Sequence, residues 1–118
     1  MPSTRFDTVC EQGADLSFQV TYTDNSGNPV NLTGGSARMQ ARTSINSSVA
    51  FLDLDTGSKG GLTLGGSNGV ITVFVAGAVT AGYPGPVRAV YDLQFTDING
   101  RVSRVIEGRL NVKKSVTR

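Results

Sequence analysis

Apolar and polar positions alternate with a period of two through most of this chain, the repeat of half-buried β-strands. Leu16, Phe18, Val20 and Tyr22 share one face of a run whose other face is Ser17, Gln19, Thr21 and Thr23. Ala37, Met39 and Ala41 alternate with Arg38, Gln40 and Arg42, and Tyr91, Leu93 and Phe95 with Asp92, Gln94 and Thr96. Residues 87–96 and 101–112 flank Asn99-Gly100. That dipeptide suits the positive backbone angles of a tight hairpin turn, so the two runs predict a long antiparallel pair. In its second strand the inward set is Val102, Val105, Ile106, Leu110 and Val112. The change of phase along this set predicts a β-bulge at Gly108.

Shorter strands are predicted at 5–10, 49–54 and 62–64, with a brief extended piece at 30–32. Residues 70–75, VITVFV, are β-branched and nearly all apolar, which predicts a strand covered on both faces. Asp24 to Pro29 and Gly65 to Gly69 concentrate turn formers. Residues 76–82 suit one helical turn, stopped by Gly82 and Pro84-Gly85-Pro86. No window carries sustained helical apolar spacing. About eight strands with regular turn signals predict an all-β fold, an immunoglobulin-like antiparallel β-sandwich. At 118 residues the chain is expected to form one domain, 1–118, with a short basic tail from about residue 113.

Composition narrows the chemistry. There is no histidine and a single cysteine, Cys10, so the common zinc and nucleophile–base arrangements are absent and no internal disulfide can form. No catalytic, metal-binding or cofactor-binding residues are expected, and the chain is read as a non-enzyme. Asp53 and Asp55 share a strand face, but no closing ligand follows as in a calcium loop. Asp92 and Glu107 are placed across the terminal hairpin, yet two carboxylates without a cleft do not make a glycosidase. The glycine clusters lack the strand–helix setting of a phosphate loop. Phe18, Tyr22, Phe74, Tyr91 and Phe95 fall in phase with apolar neighbours and are expected in the core rather than on a nucleic-acid groove. Neither a nucleic-acid nor a membrane partner is expected, and the N-terminal segment has no signal-peptide pattern, which predicts synthesis in the cytoplasm.

Charge is distributed unevenly. The net charge is +2, but residues 101–118 hold six basic side chains against one acid, +5, leaving −3 for residues 1–100. Arg101, Arg104, Arg109, Lys113, Lys114 and Arg118 are therefore the candidate subunit-interface residues. The alternative is that they guard the solvent face of an edge strand against aggregation.

The order of features resembles a family of small phage virion proteins associated with tails and baseplates, similar in pattern to the N-terminal module of upper-baseplate proteins. The resemblance runs through Gln12-Gly13-Ala14-Asp15-Leu16, then Asp24 to Gly34 with Pro29-Val30-Asn31-Leu32-Thr33-Gly34, then Ala37 to Arg42. Gly69-Val70-Ile71-Thr72-Val73, Tyr91-Asp92-Leu93, Gly108 and Val116-Thr117-Arg118 complete it. The glycine-rich 59–69 segment is longer than the family's, and Pro84-Gly85-Pro86 departs from it. The resemblance implies a noncatalytic virion structural protein, assembled in the host cytoplasm. It would be an adaptor docking other virion structural proteins in many symmetric copies. A capsid decoration protein is the nearest alternative, and a carbohydrate-binding module a more remote one, given the absence of Trp.

Overall fold

A computed structural model describes residues 4–24, 26–44 and 46–114. Its strands are β1 (Thr4–Arg5), β2 (Thr8–Glu11), β3 (Leu16–Thr21), β4 (Ser36–Arg42), β5 (Leu52–Asp55), β6 (Leu62–Leu64), β7 (Val70–Val75), β8 (Val87–Thr96) and β9 (Val102–Lys113). One helical turn, α1 (Gly77–Thr80), falls where glycine and proline were expected to end it. The larger sheet has the order β1/β2–β9–β8–β4–β5, and the smaller β3–β7–β6. Their inner faces share one apolar core, centred on Met39, Leu52, Ile71, Val73, Leu93 and Leu110, all essentially without exposure. This is the two-layer β-sandwich that the alternation requires: each sheet has one apolar face, and the two bury each other.

The pairing is antiparallel except at the N-terminal strand. Thr4 faces Ile106 and Thr8 faces Leu110, a constant offset of 102, so β1 and β2 are two halves of one strand running parallel to β9. Counting them together gives the eight strands expected. The interruption at Phe6 and Asp7 has a cause on β9. A side chain on Gly108 would place its Cβ 2.3 Å from the Phe6 carbonyl oxygen and 2.8 Å from Asp7 Oδ1. Glycine leaves that space to the neighbouring strand. The Phe6 carbonyl accepts a hydrogen bond from the Tyr91 hydroxyl, and Asp7 Oδ1 accepts one from the Arg109 amide at 2.9 Å.

The predicted bulge is therefore misplaced. Gly108 lies in register opposite Tyr91; the extra residue is Val105, skipped between the pairs Leu93–Ile106 and Gln94–Arg104. Both Val105 and Ile106 are buried as a result. Val102, expected inward, is exposed beyond the bulge. The strand at 70–75 is covered on one face only: Phe74 is 48% exposed, because no described residue packs over it on the outer side of the smaller sheet.

Thr80 is the one buried polar side chain among the described residues. Its hydroxyl donates to the Ala14 carbonyl at 2.8 Å and accepts from the Gly13 amide at 3.1 Å, tying α1 to the turn that precedes β3.

Candidate docking face

Strand β9 lies between β8 and the N-terminal strand, so its outward residues belong to a continuous sheet face. The expectation that its basic residues guard a sheet edge is overturned: the parallel N-terminal strand, 102 residues distant, covers that edge. The Val105 bulge then decides which β9 side chains meet. In an uninterrupted strand, residues three apart point to opposite faces. The extra residue restores the phase and puts Arg104 and Glu107 on the same outer face.

There, Arg104 Nε lies 3.4 Å from Asp92 Oδ2, and Arg104 Nη1 lies 3.7 Å from Glu107 Oε2. Asp92 and Glu107 stand directly opposite each other in the ladder. Like charges in that position repel, and one guanidinium bridges them. Arg5 from β1, Arg42 from β4 and Arg109 from β9 stand around this trio. With Gln40, Gln94 and Val90 they line a shallow concavity of about 330 Å³. Four guanidinium groups against Asp92, Glu107 and the Asp7 carboxylate 3.4 Å from Arg5 leave it net positive by one charge. Arg42 is held in place by donating to the Ser47 carbonyl at 3.0 Å and to Gln40 Oε1 at 3.1 Å.

Of the predicted interface residues, the structure brings Arg104 and Arg109 into this concavity. Arg101 sits at the hairpin turn, its amide donating to Asp97 Oδ1 at 2.9 Å. Lys113 and Lys114 are exposed at the far end of β9, Lys113 roughly 13 Å beyond Arg109 at the rise of an extended strand. Arg118 lies outside the described residues. The five described residues thus do not form one patch. Arg5 and Arg42 were missed because their places depend on strand order: β4 lies beside β8, and the N-terminal strand beside β9. Local alternation showed that Arg42 faces outward but not which neighbour it would meet.

A second charged group occupies the β4–β5 side. Asp53 accepts from Gln40 Nε2 at 3.2 Å and from Lys59, and Arg38 Nε lies 3.6 Å away. The Lys59 ammonium, with help from Gln40 and Arg38, holds the Asp53 carboxyl below its ordinary value against the opposing effect of partial burial. Asp55 caps a turn, its Oδ1 accepting from the amides of Gly57 at 2.9 Å and Lys59 at 3.0 Å. Both carboxylates are thus engaged by the protein itself. Among the described residues no three His, Cys, Asp or Glu side chains are grouped so as to hold a metal ion. No helix among them is long and apolar enough to cross a membrane. Cys10 is buried, and desolvation, reinforced by the Glu11 charge, raises its thiol pKa, which suppresses the reactive thiolate.

Rigid strands thus present four guanidinium groups at fixed spacing: Arg5 is held by Asp7, Arg42 by Ser47 and Gln40, and Arg104 by Asp92 and Glu107, while Arg109 projects from the same face. No protein-family model and no curated protein matches this sequence.

Proposed function

We propose that the chain is a noncatalytic structural subunit of a phage particle, a tail- or baseplate-associated adaptor. It would dock an acidic surface of a neighbouring virion protein on the outer face of its larger sheet. The observation that carries the docking is the concavity in which Arg5, Arg42, Arg104 and Arg109 surround the Arg104-bridged pair Asp92 and Glu107. The phage setting rests on the ordered sequence resemblance from Gln12 onward.

The outward side chain of Arg109 makes it the position to test. Arg109→Glu reverses the charge of the rim while leaving the core intact, and incorporation of the protein into assembling particles is expected to fall about tenfold or more. Charge reversal at Lys113 and Lys114 should weaken incorporation less, since those residues lie away from the concavity. Unchanged incorporation of Arg109→Glu overturns the docking face. Immunolabelling of purified particles addresses the setting: label on tails supports the adaptor, and label confined to heads replaces it with a decoration protein.

A further inference from the structure

The strands of the smaller sheet, LSFQVT, LTL and VITVFV, contain no ionisable residue. Every charged strand residue described belongs to the larger sheet. This matters most at the edges, where unpaired backbone groups invite another chain unless charge, proline, a bulge or shortness discourages it. The edge strand β5 bears Asp53 and Asp55, β2 ends in Glu11, and β6 has three residues. Strand β3 has none of these protections over its six residues.

Its hydrogen bonding shows which groups are open. The Tyr22 amide donates to the Gly69 carbonyl at 2.8 Å, in line with the β3–β7 register. By strand alternation the backbone groups of Leu16, Phe18 and Val20 also point to β7, so those of Ser17, Gln19 and Thr21 point to the open edge. The following loop does not cover them, because Val30 bonds the Tyr22 carbonyl and Asn28 the Asp24 amide from the β7 side. Apolar surface lies beside the edge. Phe18 and Val20 are only partly buried, and Phe6, 42% exposed, packs its ring 5.6 Å from that of Phe18.

We propose that β3 pairs antiparallel with β3 of a second copy across a two-fold axis at Gln19, joining two smaller sheets into one of six strands. The sequence is self-complementary about that residue. Gln19 faces its own counterpart, Ser17 faces Thr21, Phe18 faces Val20 and Leu16 faces Tyr22, so polar meets polar outside and apolar meets apolar inside. The pairs Gln19–Gln19, Ser17–Thr21 and Thr21–Ser17 are those whose open backbone groups face one another. The flanking carboxylates do not collide: Asp15 falls opposite Thr23, and Asp24 opposite Ala14. The absence of charge is what permits two identical strands to lie side by side.

Sedimentation of the full chain over a concentration series tests the pairing. Wild-type protein is expected to form dimers. Gln19→Lys and Gln19→Glu, which place like charges opposite each other at an exposed position, should each raise the dissociation constant about tenfold or more. An equimolar mixture of the two should restore dimers. A wild-type chain that stays monomeric up to roughly 0.5 mM overturns the proposal, as do dimers that persist in both variants or a mixture that remains monomeric. Amide exchange on the wild-type protein gives an independent reading. Protection at Ser17, Gln19 and Thr21 should rise with concentration, and concentration-independent exchange there counts against the pairing.

Discussion

The two sheets share one core but present opposite kinds of surface. The larger is covered with charges that are largely spent on one another, as in the Asp92–Arg104–Glu107 bridge and the Asp53–Lys59–Arg38 group. The smaller presents Ser17, Gln19, Thr21, Thr72 and Phe74, with no charge at all. Charge on a sheet face selects partners by sign and spacing, whereas a neutral sheet with an open edge selects by backbone pairing. The two proposed associations would thus use different sheets of one sandwich.

The largest expected effects come from the shared core. Leu93→Ala under the larger sheet and Ile71→Ala under the smaller should each lower the unfolding free energy by about 2–5 kcal/mol. Because one cluster joins both sheets, each variant should still unfold in a single transition in urea. Two transitions would show that the sheets are separate cooperative units and break the comparison at its root.

Gly108→Ala should be milder and one-sided, about 1–3 kcal/mol, since its Cβ would press on the Phe6 carbonyl. Faster amide exchange should appear at residues 8–11, with β3 and β7 unaffected. Loss of protection across both sheets would mean that the N-terminal strand supports the entire sandwich.

The smallest effect, on the order of 1 kcal/mol, appears only in alkali. Desolvation, with a lesser contribution from Cys10, pushes the Tyr83 phenol up to about 12, and burial, with a lesser contribution from Asp7, raises that of Tyr91. A folded-state value above the unfolded one means that the folded protein holds its phenolic protons longer. The stabilisation is complete below pH 10 and is lost as pH rises from about 10 toward 12. Urea denaturation at pH 9 and pH 11 should show the decline, and Tyr83→Phe should reduce it.

Alternation alone made much of the fold legible. The 16–23, 37–43 and 87–96 runs became β3, β4 and β8 with the expected faces inward, and Asn99-Gly100 lies in the hairpin connection, which spans residues 97–101 with only Gly100 at positive φ. What alternation could not supply was long-range order. It does not say that β4 lies against β8 or that Thr8 meets Leu110, and so could not assemble Arg5 and Arg42 with Arg104. The bulge was misassigned for a related reason. Gly108 looked like the irregular position, but its bare backbone serves a neighbouring strand, while the extra residue, Val105, is an ordinary apolar one.

The parallel pairing of the first strand with the last also sets an order of events during synthesis. Residues 8–11 cannot find their partners until residues 110–113 have left the ribosome, so the nascent chain carries an unzipped border until β9 has been made. Closing a contact 102 residues apart is a slow, entropically expensive step. The finished sandwich is therefore sealed only after its last strand has emerged.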